Sequence, residues 1–155
     1  MFRATAFLSI AMLTPIQAAD PLPQKPYLNL AAIKRMVAAA EAEAQKRNVE
    51  VTLCIMDDNA NILFMQKADK VGVNTIHYAE RKARHAAMNG SPSKSAADRL
   101  KAGDLSILAV PNAFPNQGGL PIRVDGRLIG SIAASGAPSE VDEAIAQAGI
   151  DALVK

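Results

Sequence analysis

Apolar and polar positions along the chain fall into two alternating periodicities. Leu30, Ile33, Met36, Val37, Ala40 and Ala44 recur at helical spacing, with Lys34, Arg35, Glu41, Glu43, Gln45 and Lys46 on the other side. Asn29, a residue that caps helix starts with its side-chain oxygen, precedes them, so a helix is predicted from Asn29 to about Arg47. The pattern then changes to strands. Val51-Thr52-Leu53-Cys54-Ile55-Met56 and Ile62-Leu63-Phe64-Met65-Gln66 flank Asp57-Asp58-Asn59-Ala60-Asn61, whose short polar side chains bond their own backbone in turns. Because both strands are apolar at most positions, both faces of the sheet are expected to be covered.

Helical spacing returns from about Asn74 to Asn89 and is broken at Gly90-Ser91-Pro92. A short third helix is predicted at Ala96–Lys101, capped by Ser93 or Ser95 and closed by Gly103. Leu105 to Val110 is apolar but short, and Pro111 to Asn116 forms an irregular approach to Gly118. Leu120–Val124 and Arg127–Ala133 are joined by Asp125-Gly126, the signature of a two-residue type I′ hairpin turn. Ser139 is placed to cap a last helix whose first turn carries Glu140, Asp142 and Glu143. The order of helix, hairpin, helices, hairpin, helix predicts an α+β fold, with one antiparallel sheet of two hairpins flanked by helices.

Length and composition narrow the reading. The chain has 155 residues, half of them hydrophobic, which suits one domain. The domain is expected over residues 29–155, after an extended leader at 20–28 that carries Pro21, Pro23 and Pro26. Residues 1–19 read as a cleaved signal peptide: Arg3, then an apolar run from Ala4 to Leu13, then small residues offering cleavage after Ala18 or Ala19. The run is too short for a membrane span, so no integral membrane segment is expected in the mature chain, which would be periplasmic or secreted. A formal charge of +2 with no tryptophan argues against nucleic acid as a partner. Cys54 has no second cysteine to pair with and reads as a buried, inert thiol.

The candidate chemistry gathers on the second helix. At about 100° per residue, Ile76, Ala79, Ala83, Ala86 and Ala87 form its core face. His77, Arg81, Arg84 and Met88 lie along one flank, and Tyr78, Lys82 and His85 along a neighbouring stripe. Both histidines of the chain therefore sit on this helix, placed by the wheel away from its core. Such a face is either a solvated basic surface or a ligand site. Imidazole ligates haem iron or another metal, phenolate ligates ferric iron, and guanidinium pairs with propionates. His77 and His85 are eight positions apart and do not converge on a small ion, and no acidic or thiolate cluster completes a zinc set. No nucleophile elbow, phosphate-loop lysine motif or dinucleotide fingerprint is present. Asp57 and Asp58 read as turn formers. Gly118-Gly119 is either a nest of backbone amides for an anion or a tight turn.

Gly118-Gly119-Leu120-Pro121-Ile122, Asp125-Gly126, Gly130 to Ala137 and Asp142 together resemble the GlcG/HbpS family of haem-binding-like domains. The same domain type closes PduO-type cobalamin adenosyltransferases. The Leu30-Ala31-Ala32-Ile33 helix, the Val51-to-Met65 hairpin and Lys82-Ala83-Arg84-His85-Ala86-Ala87 extend the resemblance over about Leu28 to Leu153. It implies a profilin-like sandwich that assembles into dimers or larger homo-oligomers and binds haem or a related tetrapyrrole, with redox sensing in secreted members. His85 departs from the pattern, standing where the family commonly carries a small hydroxyl residue.

Residues and resemblance together give the expectation of an exported, oligomeric haem-binding protein, active in sensing or storage and not clearly an enzyme. His77 or His85 is the expected axial ligand and Tyr78 a second candidate. Arg81 and Arg84 would hold propionates, while Gly118, Gly119 and Pro121 shape the wall near an oligomer interface. Two alternatives remain open. One is a protein for a small organic acid, held by the Gly118-Gly119 amides with Lys82 or Arg123. The other is a ligand-free structural subunit.

Overall fold

The computed structural model describes residues 24–153, so the expected signal segment lies outside the described residues. Residues 24–29 have no regular structure, in keeping with a leader. The elements that follow are α1 (Leu30–Lys46), β1 (Thr52–Asp57), β2 (Ile62–Lys67), α2 (Thr75–Asn89), α3 (Ser93–Lys101), a 3₁₀ turn (Leu105–Ala109), β3 (Gly119–Val124), β4 (Arg127–Ser135) and α4 (Ser139–Asp151). The two hairpins make one antiparallel sheet in the order β2-β1-β4-β3, as the periodicity predicts.

Local chemistry accounts for most boundaries. The Asn29 side chain accepts from the Ala32 amide at 2.8 Å and starts α1. Asp57 folds the first hairpin turn onto itself, its carboxylate accepting from the amides of Asn59 at 2.9 Å and Asn61 at 2.8 Å. Asp125 and Gly126 have φ of 50° and 76°, the left-handed pair that a type I′ turn requires. Two expected starts move by one turn or less. Helix α3 begins at Ser93, behind Pro92 in the capping position, and α4 begins at Ser139 behind Pro138.

The sheet divides two cores. Leu53, Ile55, Ile122, Ile132 and Ala134 face α1 and α4, where they meet Ile33, Met36, Ala40, Ile145 and Ala146. Cys54, Met56 and Ala133 face α2 and meet Ala79, Ala83 and Ala87. Both faces of the sheet are covered, as expected, and β1 and β4 are buried on both sides, but β2 is an edge strand with Ile62 and Leu63 exposed. Its apolar residues exceed what its position buries. At the other edge Pro121 sits in β3 beside Ser131, where the missing N–H of proline costs no ladder bond to a further strand.

Helix α2 lies unusually close to the sheet. Its facing side chains are alanines, and a side chain on Gly119 would collide with the Lys82 carbonyl group. Gly119→Ala therefore has to push α2 off β3, and the expected loss is about 3 kcal/mol, the upper range for overpacking a core. Urea denaturation measures it; a loss below about 1 kcal/mol would show that the approach is not constrained.

Candidate functional site

The helical wheel predicted Lys82 and His85 away from the core, and the structure corrects this. Both are about 1% exposed, beside the alanine face, whereas His77 and Arg81 are exposed and Arg84 is half-buried. A wheel scores a lysine as outward because it carries charge; here a partner outside the helix supplies the opposite charge. Lys82 Nζ donates to Asp142 Oδ2 at 2.8 Å and to the Ala134 carbonyl at 3.1 Å. Asp142 Oδ1 accepts from the Ala137 amide at 3.0 Å. Burial pushes the Asp142 carboxyl above its ordinary value and the Lys82 ammonium below its own, and the attraction between the two opposes both shifts.

Gly118 and Gly119 are buried against this pair. A Cβ on Gly118 would lie 2.9 Å from both Asp142 Cβ and Lys82 Nζ, and φ at Gly118 is +123°. The Gly119 amide donates to Ser93 Oγ at 2.9 Å. The glycine pair is thus buried as an internal seat for α2 and α4, with the Gly119 amide taken by Ser93. Arg123 is also engaged, donating to the carbonyls of Gly126 and Gly90, each at 2.9 Å. Lys82, Arg123 and the Gly119 amide, three of the groups expected to hold a small organic acid at this loop, are thus engaged within the fold.

His85 is fixed by the loop before β3. Its Nδ1 accepts from the Phe114 amide at 3.0 Å, which leaves the ring proton on Nε2, facing Ser91 Oγ at 3.4 Å. Both ring nitrogens are therefore turned to the protein. Phe114 in turn orders the surface of α2: Tyr78 meets it edge-on at 5.6 Å between centroids, and the Arg81 guanidinium lies 4.2 Å over its ring.

On the outer side His77, Arg81, Arg84 and Met88 stand on successive turns of α2. Arg84 pairs with Glu80 at 2.9 Å and donates to the Ala60 carbonyl at 3.3 Å. Neither the His77 ring nor the Arg81 donor edge has a hydrogen bond among the described residues. Between α2 and the 3₁₀ turn runs a cleft of about 350 Å³ lined by Arg81, Arg84, Leu108, Val110, Asn112 and Ala113. The structure thus brings His77, Arg81 and Arg84 to one face and Lys82, Gly118 and Gly119 to an interior cluster. Pro121 joins neither.

The pairing of Asp142 and the part played by Phe114 were not legible in the sequence. Asp142 reads as an ordinary first-turn acid, and its pairing crosses 60 positions of chain. Phe114 is a lone aromatic among prolines and asparagines; its placement in a long ordered loop was the available signal. Cys54 is fully buried, and desolvation pushes its thiol up to about 12, in keeping with an inert role. Among the described residues no cluster of three or more His, Cys, Asp or Glu is placed to hold a metal ion.

A family model described as haem degrading protein HbpS-like matches residues 28–151. Protein GlcG of Escherichia coli strain K12 is 29% identical over 100 residues, covering 64% of this chain and 75% of the relative. An uncharacterized 15.0 kDa protein from the dhaT-dhaS intergenic region of Citrobacter freundii is 30% identical over 128 residues, 80% of this chain and 90% of its own. Among solved structures, HbpS superposes with a TM-score of 0.77 at 32% identity, covering 88% of this chain and 99% of that one. The PduOC:Heme complex superposes with a TM-score of 0.75, covering 82% and 95%; at 24% identity it speaks for the fold alone.

The His85 environment sets a pH dependence. Burial holds its imidazole below the ordinary 6.5, while a hydrogen bond to the Pro92 backbone opposes the shift. The unfolded chain takes up this proton near 6.5 and the folded chain resists it, so the contribution is full above pH 6.5 and is lost as pH falls toward the folded value. Urea unfolding between about pH 7 and 5.5 should show stability falling with pH, and the slope should flatten in His85→Asn, whose side-chain oxygen can still accept from Phe114. An unchanged slope in the variant would mean that His85 is not the group responsible.

Proposed function

The chain belongs to the HbpS-like family, and we propose that it binds haem on the outer face of α2. The observation that carries this reading is the stripe of His77, Arg81 and Arg84 on the outer face of α2, whose two arginines line a cleft shared with Leu108. The donor set suits the group. His77 offers an exposed imidazole whose nitrogens no described residue engages, the type of ligand that haem iron takes. Arg81, stacked on Phe114 through its face, keeps its N–H edge for a propionate, and Arg84 adds a second guanidinium. Leu108 and Met88, 63% and 52% exposed, offer apolar and thioether surface to a macrocycle. His85 is the weaker of the two expected ligands because both its nitrogens face the protein interior. Tyr78 is held edge-on to Phe114 and borders the same face.

When bound, haem would supply redox chemistry at iron; the protein's part is to hold it and limit water at one face. We take that role to be sensing or storage. We also take the mature chain to be exported and to form homo-oligomers. Support for the second comes from β2, an open sheet edge where Ile62 and Leu63 are exposed.

Titration of the purified protein with haem tests the reading. A saturable Soret shift at one equivalent is expected, lost or changed in character in His77→Ala and retained in His85→Asn. Arg81→Ala with Arg84→Ala should weaken binding about tenfold, equivalent to about 1.4 kcal/mol. No Soret shift, or a shift indifferent to His77, would remove the proposal. The same sample, recovered from the export compartment, should have the mass of a chain starting at Ala19 or Asp20.

A further inference from the structure

The loop 111–117 is held to α2 by very little. Among the described residues only two hydrogen bonds join them: the Phe114 amide donates to His85 Nδ1 at 3.0 Å, and the Asn89 carboxamide reaches the Pro111 carbonyl at 3.4 Å. The other bonds of the loop are local, from the Ala113 amide to Val110 at 3.1 Å and from the Asn116 amide to Phe114 at 2.8 Å. No residue from Pro111 to Gln117 is fully buried, so apolar packing adds little to this hold. Yet the loop carries much of the candidate site. Asn112 and Ala113 line the cleft beside Arg81 and Arg84, and the Phe114 ring is the surface on which the Arg81 guanidinium lies.

The stronger of the two ties depends on one proton. A neutral imidazole has a bare nitrogen that can accept; an imidazolium has two N–H groups and accepts nothing. Protonation at Nδ1 would set an N–H against the Phe114 N–H across 3.0 Å. The ring is 1% exposed, so its new charge meets no water unless the loop moves away. Nor does a neighbour supply the opposite charge. On α2, Arg81 and Lys82 stand one turn before His85, and Glu80 pairs with Arg84. Asp142 of α4 is taken by Lys82. On α3, Lys94 pairs with Asp98, and Arg99 with Asp104 beyond its end. Arg123 of β3 is bonded to backbone carbonyls, and the loop itself has no ionisable side chain. We propose that the Phe114–His85 hydrogen bond is a proton-operated latch: protonation of His85 frees the loop 111–117, and the cleft on the outer face of α2 loses a wall and the seat of Arg81. The consequence for haem rests on the reading proposed above; the latch itself does not.

Titration of the ¹⁵N-labelled protein without haem, from about pH 7.5 to 5, tests the latch. The His85 ring and the Ala113 and Phe114 amides should shift with one common midpoint below the ordinary 6.5, because burial favours the neutral ring. Exchange protection at Phe114 should fall at that midpoint, while the sheet amides of Ile55 and Ile132 stay unmoved. In His85→Asn, whose side-chain oxygen accepts from Phe114 throughout this range, the transition should vanish. If that variant fails to fold, the coincidence of the ring and Phe114 midpoints in the unaltered chain decides. A Phe114 amide unmoved across the range, a midpoint different from that of the ring, a transition that survives in His85→Asn, or sheet amides moving at the same midpoint would overturn the proposal. Haem titrations at the two ends of the range form the second arm. Acid weakens an iron bond to His77 in both proteins, so the latch predicts a further loss of about tenfold in the unaltered chain relative to His85→Asn. Equal losses would overturn the link from latch to ligand. A missing Soret shift at every pH would fall on the haem reading, with the amide transition still deciding the latch.

Discussion

The ion pair between Lys82 and Asp142 is the constraint on which the rest of the arrangement depends. It joins the middle of α2 to the first turn of α4 across the end of the sheet, and its two side chains are 2% and 3% exposed. Two charges removed from water this far are costly unless geometry and further hydrogen bonds compensate. Here the Ala134 carbonyl takes a second ammonium proton, and the Ala137 amide bonds the second carboxylate oxygen. Such a pair adds little net stability over an apolar replacement, but it admits few alternative positions for α2. Gly118 and Gly119 make the pair possible, because any side chain there would occupy the space of Lys82 or Asp142.

Fixing α2 in this way divides its surface between two tasks. The buried stripe of Lys82 and His85 ties the helix to α4 and to the loop before β3. On the outer stripe the His77 ring and the Arg81 donor edge are left without hydrogen bonds among the described residues, next to a loop whose Phe114 is held by the His85 ring. Interior histidine and surface aromatic are thus one device. The imidazole orients the loop, and the loop supplies the ring on which Arg81 rests.

Much of the fold was legible in the sequence because it rests on local signals. The periodicity of α1, the Asp57-to-Asn61 turn and the Asp125-Gly126 hairpin are decided within a few residues, and the structure has them where they were expected. What was not legible required a partner distant in the chain. Lys82 reads as a solvent-facing charge until Asp142 is placed beside it, and His85 as a free imidazole until Phe114 arrives at its Nδ1. The glycine pair announced a close approach without saying to what. Ile62 and Leu63 erred in the other direction: their hydropathy signals burial, but strand order leaves β2 at an edge. For the candidate site, the residue types were readable and the sorting into buried and outward stripes was not.

Lys82 and Asp142 act together as the clamp of α2. A double-mutant cycle in urea unfolding, with Lys82→Met, Asp142→Leu and both combined, tests it most directly. Each single change should cost about 3–5 kcal/mol by stranding a buried charge, and the double change should recover most of that loss. Single losses below about 1 kcal/mol, or a double variant whose loss is the sum of the two, would contradict the account.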